Sequence, residues 1–221
     1  MPLHADQTVA EIALGNPATT RIFEQVGIDY CCGGKRSLAQ ACAKAGLDVD
    51  ALLARLAATP PPAATSDWTA VSLAALVAHL VDTHHAFTRS ELTRAQALAT
   101  KVARVHGDRH PFLRELAAAV DEQTADLLAH LAKEEQVLFP AIVRGDRTFV
   151  AAPISVMGHE HDAHGVRLAQ IRALATDFIA PDDACGSWRA LYDSLASLER
   201  DLHQHIHLEN NVLFPRALSA G

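Results

Sequence analysis

Two stretches of this chain set a histidine four residues ahead of a glutamate, His130 before Glu134 and His205 before Glu209. On a helix that spacing brings both side chains to one face. Burying an imidazole or a carboxylate is costly unless it is paired or bound to a metal. Several of them in one layer need a common partner, and a metal supplies one. The surroundings repeat as well. His-Leu-Ala-Lys-Glu-Glu-Gln-Val-Leu-Phe-Pro over 130–140 returns as His-Ile-His-Leu-Glu-Asn-Asn-Val-Leu-Phe-Pro over 205–215, with six of eleven positions identical. We read this as one metal-binding helix used twice. Related by a pseudo-twofold, the two copies would bring two carboxylates between two metals, an arrangement that helical bundles support.

Four long helices must position these groups. Apolar residues at three- and four-residue spacing predict helices over about 72–101, 111–143, 154–178 and 184–218, with an interruption possible at Pro140. The stripes run through histidine and glutamate where leucine would be expected. The fourth helix reads Leu191, Leu195, Leu198, Leu202, His205, Glu209, Val212. The first and third helices must add the remaining donors. The third offers His161, with His159 and His164 beside it; His161 and His164 share the core face. The first offers His79, His84 and His85, and periodicity does not separate His84 from His85. His4, His106, His110, His203 and His207 read as surface or ordinary core histidines. Imidazoles and carboxylates without thiolates suit iron or manganese, with zinc possible.

Upstream lies a smaller helical region. Thr8 and Glu11 form a capping box, Asn16-Pro17 restarts the chain, Gly27 stops the second helix, Ser37 caps a third that ends at Gly46, and a fourth spans Asp48 to about Ala58. The Pro-rich Thr59–Asp67 is the natural linker. The expected organisation is therefore all-α: a small helical domain over 1–58, a linker over 59–67 and a four-helix bundle over 68–221. Ala and Leu dominate an apolar fraction of 49%, with aromatics at only 5%, which suits helices better than strands. A net charge of −7 without a basic cluster argues against nucleic acid. No long apolar run and no signal-peptide core are present, so a cytoplasmic location away from membranes is expected. The four cysteines form no disulfide scaffold. Cys31 and Cys32 stand in Asp29-Tyr30-Cys31-Cys32-Gly33-Gly34, where glycine permits close backbone approach and positive φ. Loop amides and the following helix N-terminus would favour thiolate there. Cys42 and Cys185 read as structural.

His85, His130, Glu134, His161, His205 and Glu209 resemble the ligand set of hemerythrin-like domains. Asp29-Tyr30-Cys31-Cys32-Gly33-Gly34-Lys35 resembles the signature of the short ScdA-type domain that precedes such a bundle in the repair-of-iron-centres (RIC) family, the YtfE/ScdA/NorA group. Leu208-Glu209-Asn210-Asn211-Val212-Leu213-Phe214-Pro215-Arg216-Ala217-Leu218 and Pro153-Ile154-Ser155-Val156-Met157 carry the likeness through the rest of the chain. The resemblance picks His85 over His84, makes Glu134 and Glu209 bridging carboxylates, and implies two iron ions with an oxo or hydroxo bridge. Two glutamate bridges and four histidines leave coordination positions open to a diatomic. The chain departs from the family at His84, where an aromatic is usual, and at His164, where a small residue is. The function implied is repair of iron–sulfur clusters damaged by nitrosative or oxidative stress, with damaged iron–sulfur proteins, NO and O2 as partners and a monomer or homodimer as the working form. Cys31 and Cys32 would be the working thiols. The alternatives are a hemerythrin-like NO- or O2-binding or sensing protein, or an NO reductase.

Overall fold

Side-chain caps set the helix starts of the N-terminal region. Thr8 and Glu11 close a reciprocal capping box on α1 (Val9–Gly15), and Ser37 and Gln40 close another on α3 (Leu38–Ala45). Asn16 caps a 3-10 turn (Pro17–Thr19) that feeds α2 (Thr20–Val26), and Asp48 caps α4 (Val49–Ala57). Gly27 and Gly46 end α2 and α3 at φ 70° and 68°, a left-handed turn that glycine adopts without a Cβ clash. These four helices bury Val9, Ile12, Phe23, Tyr30, Leu38, Cys42, Leu52 and Leu56 in one small core.

The computed structural model describes residues 3–62 and 67–219. Part of the expected linker, residues 63–66, lies outside the described residues. Among the described residues the regular structure is helical, apart from a single bridge between Thr8 and Ser37. The fold is all-α. It divides into two compact units. The first holds the chain up to Val71 together with Ile206–Arg216; the second holds Ser72–His205 and the chain from Ala217.

From Leu73 onward the chain forms four long helical runs. The first joins α5 (Leu73–His79) to α6 (Ala86–His106) through a π-helical segment, Leu80–His85. The next joins α7 (Phe112–Lys133) to α8 (Phe139–Arg144) through a second π segment, Glu134–Leu138. Then comes α9 (Arg147–Leu174). The last run is α10 (Gly186–Leu208), which continues through a third π segment (Glu209–Leu213) into α11 (Phe214–Ser219).

Pro140 does not break the second run. Proline has no N–H to give the carbonyl four residues back, and its ring crowds that carbonyl. The wider π turn just before it relieves both problems. The same order, π segment then Phe-Pro, recurs at Phe214-Pro215. The third helix starts seven residues earlier than its stripe suggests. Asp146 caps it through the Phe149 N–H, and Pro153 sits inside it rather than at its start.

All four runs share one layer order. From His85, α6 goes to Leu92 and then to Ala95, Ala99 and Val102. From His161, α9 goes to Leu168 and then Ile171; back from His205, α10 goes to Leu202 and Leu198 and then Leu195 and Leu191. On α7 the order is Leu113, Leu116 and Val120, then Leu127, then His130. A polar layer is thus followed on every helix by a leucine layer and then by a mainly apolar one around Trp188 and Tyr192. That packing keeps water from the polar groups on that side.

Candidate metal centre

Each π segment falls on a histidine or glutamate singled out by the sequence. His84 and His85 end the first, Glu134 opens the second and Glu209 opens the third. A π turn adds a residue to one turn and re-aims the side chains on either side. In the first run it turns both His84 and His85 inward, so both are buried. His130, Glu134, His161, His205 and Glu209 are buried too.

The side chains form two donor groups. One consists of His85, Glu134, His205 and Glu209, the other of His130, Glu134, His161 and Glu209; within each, one donor atom per residue lies within 4.8 Å of all the others. Glu134 and Glu209 belong to both groups, and Glu134 divides its oxygens. Its Oε2 is 3.5 Å from His85 Nε2, and its Oε1 is 3.4 Å from His130 Nε2 and 3.9 Å from His161 Nε2. Neither oxygen has a hydrogen-bond partner, though both are fully buried. A carboxylate left so is expensive unless a cation completes it.

The histidines point to the same requirement. His85 Nδ1 donates to Glu135 Oε1 at 2.8 Å, and its Nε2 meets His205 Nε2 at 3.1 Å. In the other group His130 Nδ1 donates to Glu160 Oε2 at 2.9 Å, and His130 Nε2 faces His161 Nε2 at 3.1 Å. Two nitrogens about 2.1 Å from a shared ion, at 90–110° to each other, stand about 3.0–3.4 Å apart. The residues fit a pair of cations that share a carboxylate.

Glu135 and Glu160 are residues the sequence reading passed over, although each adjoins a predicted ligand. Both fix the tautomer and orientation of a donor histidine. Arg89 holds Glu135 at 3.0 Å and Lys133 holds Glu160 at 2.6 Å. Burial pushes both carboxyls up, but hydrogen bonds from His85 and Arg89 to Glu135, and from Lys133 and His130 to Glu160, outweigh it and hold both below the ordinary carboxylate range.

The undecided histidines separate. His159 is exposed, with Nδ1 on the Ser155 carbonyl. His84 is buried, bonded through Nδ1 to Asp201 at 3.0 Å, and stacked on His205 with ring centres 5.7 Å apart. His164 packs edge-on against His130, and burial pushes its pKa down to about 3, with His130 and His161 adding to the effect. Neither His84 nor His164 belongs to a donor group.

The Cys31-Cys32 turn, in the first unit, departs from expectation in three ways. Its amides do not face the thiols: the N–H groups of Cys31, Cys32 and Gly33 donate to the Asp29 carboxylate at 3.0, 2.9 and 2.8 Å. Cys31 is buried, and its thiol is pushed well above its ordinary range by its hydrogen bond with Cys32, by burial and by Asp29. The glycines are not at positive φ; they are there for close approach. A Cβ on Gly34 would lie 2.6 Å from the Tyr30 carbonyl oxygen and 2.9 Å from Ala10 Cβ. Cys42 is buried in the small core, as expected, whereas Cys185 is exposed beside His106 Nε2 at 3.2 Å.

An α-helical bundle with buried histidine–carboxylate groups on facing helices is a metal-binding bundle by class. The comparisons with known proteins name the family. The hemerythrin HHE cation-binding domain matches residues 76–217, and an N-terminal domain of unknown function (ScdA_N, DUF542) matches residues 5–59. An iron-sulfur cluster repair protein YtfE of Dickeya chrysanthemi (strain Ech1591) is 42% identical over 216 residues, covering 97% of this chain and 98% of its own. Proteins of the same name from Yersinia pseudotuberculosis (serotype O:1b, strain IP 31758) and Yersinia pestis (strain Pestoides F) are 41% identical with the same coverage. The chain belongs to the hemerythrin HHE cation-binding family, in the two-domain branch of these repair proteins. The resemblance read from the sequence is confirmed. Among the described residues no helix is long and apolar enough to cross a membrane.

Proposed function

We propose that this chain is a cytoplasmic di-iron protein that repairs iron–sulfur clusters damaged by nitrosative or oxidative stress. The observation that carries the reading is the opposed pair of histidine nitrogens in each donor group, joined by a shared and otherwise unsatisfied Glu134. The residues that would hold the iron are His85, His205, His130 and His161, with Glu134 and Glu209 shared between the two groups. The repair function is that of relatives aligned over 97% of this chain. The division of labour follows the sequence: residues 68–221 hold the iron, and residues 1–58 present the thiols of Cys31 and Cys32 to a damaged iron–sulfur protein.

When bound, such a centre supplies exchangeable iron, one-electron chemistry and open positions for NO or O2. The protein's own residues do the rest. Glu135 and Glu160 keep the Nδ1 protons of His85 and His130, so each ring offers Nε2 without having to shed a proton. The layer of Leu92, Leu127, Leu168, Leu198 and Leu202 closes one side of the site to water. Phe139, stacked on His85 at 5.5 Å, adds an apolar wall next to a ligand.

Metal analysis of protein from iron-replete cells tests the reading. About two irons per chain are expected, with near-complete loss in His130→Ala, and an NO-treated cluster enzyme should regain activity only with the loaded protein. Iron-free protein would overturn the metal part. Loaded protein that restores nothing would overturn the repair part.

A further inference from the structure

Outside the bundle, one more group of side chains is arranged as a cation would require. Asp29 Oδ1 lies 3.2 Å from Cys31 Sγ, and Cys31 Sγ lies 3.9 Å from Cys32 Sγ. One donor atom from each of the three is within 4.8 Å of the other two. We propose that Asp29, Cys31 and Cys32 form a second metal site, one that holds a thiophilic divalent cation by two sulfurs and one carboxylate oxygen.

The spacing already suits it. Two thiolates about 2.3 Å from one ion at a tetrahedral angle stand about 3.8 Å apart, and a thiolate and a carboxylate oxygen stand about 3.1–3.6 Å apart. The Cys31–Cys32 and Cys31–Asp29 separations already match those values. A disulfide, by contrast, does not suit this pair. Adjacent Cα atoms are about 3.8 Å apart, below the span of roughly 4.4–6.8 Å that an unstrained bridge needs. The two thiols are therefore better placed to share a ligand than to form a disulfide.

The turn is also held rigid before any ion arrives. Three amide donors fix the Asp29 carboxylate. Asn211 Nδ2 donates to the Cys31 carbonyl at 3.1 Å. Gly34 packs so close to the Tyr30 carbonyl and Ala10 that no side chain fits there. Binding one divalent ion takes up no electrons and releases two protons, one from each thiol.

Three protein ligands leave a fourth position open, as in exchanging sites rather than closed structural ones. Asp29 is exposed and Cys32 half-buried, so the open position faces accessible surface. If the repair reading above holds, the natural cargo is ferrous iron in transit, and the open position is where a client's own thiolate would take it over. That occupant rests on the repair reading; the site itself does not.

Cobalt(II) is the probe, because its sulfur-to-metal charge-transfer absorption reports thiolate ligation and the histidine–glutamate groups contain no sulfur. Anaerobic titration of the full-length, iron-loaded chain should raise this band to saturation at one equivalent. The Cys31→Ser/Cys32→Ser double variant should lose it completely. Asp29→Asn should weaken cobalt binding on the order of tenfold or more. Cys185→Ser should keep the band. His205→Ala should keep it too while losing bundle iron, which separates failure of this site from failure of the repair reading. The proposal is overturned by absence of the band in the parent chain, by its survival in the double variant, or by its loss with Cys185→Ser.

Discussion

The segments His130–Arg144 and His205–Ser219 start from the same pattern and end in different service. Each sets a histidine, a glutamate four residues on, a π segment opening at that glutamate, and a Phe-Pro that restarts the helix. They differ at the positions between. The first copy carries Lys133 and Glu135, which reach Glu160 and His85 and so support the donor groups. The second carries His207 and Asn211 instead. His207 Nδ1 bonds the Tyr30 carbonyl at 3.1 Å, and Asn211 bonds the Cys31 carbonyl. One copy braces the ligands, and the other anchors the cysteine turn within the first unit. The donor spacing that defines a metal helix leaves the intervening positions free to take up separate tasks.

Removing the two glutamates breaks the comparison most sharply. Glu134 divides its oxygens between the two groups and has no other partner. Glu134→Gln should drop iron from about two per chain to near zero. The metal-free variant should melt higher than the metal-free parent, since it no longer buries an unsatisfied carboxylate. Glu209→Gln should lose comparable metal if the copies are equivalent at the site. Retention of both irons in either variant would end the shared-carboxylate reading.

Next in size is the bracing role of the first copy. Glu135→Gln keeps an acceptor for His85 Nδ1 but removes the charge that Arg89 pairs with. Iron affinity should fall by about 10–100-fold, measured by competition with a chelator, while the fold is retained. Asn210 stands at the matching place in the second copy, so Asn210→Ala, measured the same way, tests whether that position braces a ligand as well. Equal losses from the two would mean that the copies are not specialised.

The same repeat shows what the sequence made legible. His130–Glu134 and His205–Glu209 stood out because the spacing, the flanking residues and the core stripe agreed. The caps at Thr8, Ser37 and Asp48 were readable because each carries its own short-range signature. The π segments were not readable, because one added residue leaves no mark in composition and only shifts the phase of the stripe. That shift is why periodicity could not separate His84 from His85: both turn inward in a π turn. It is also why Val137, inside an apolar Val-Leu-Phe run, is 46% exposed while Leu138 and Phe139 are buried. Glu135 and Glu160 were missed for another reason. Helical phase places them beside the core face, and only their partners on other helices bring their carboxylates to it.

The smallest effect expected is the one that separates the copies by pH. His207 stands where the first copy has Ala132, and burial pushes its pKa below the ordinary 6.5 despite the opposing pull of the Tyr30 carbonyl. Its Nε2 is buried without a hydrogen-bond partner, so a second proton on the ring would be an uncompensated charge. The sign follows from linkage. The folded chain keeps His207 neutral where the unfolded chain would take a proton, so its contribution is full above pH 6.5 and shrinks as pH falls towards the folded value. The slope is at most about 1.4 kcal/mol per pH unit. His207→Ala should lower stability at neutral pH by about 1–2 kcal/mol through loss of the Tyr30 bond. It should also flatten the fall in melting temperature between pH 6.5 and 5. Because Ala132 already lacks such a ring, Ala132→Ser in the first copy should leave that pH dependence as it is. A His207→Ala protein whose melting temperature falls with acid as steeply as the parent's would show that the second copy does not carry this sensitivity.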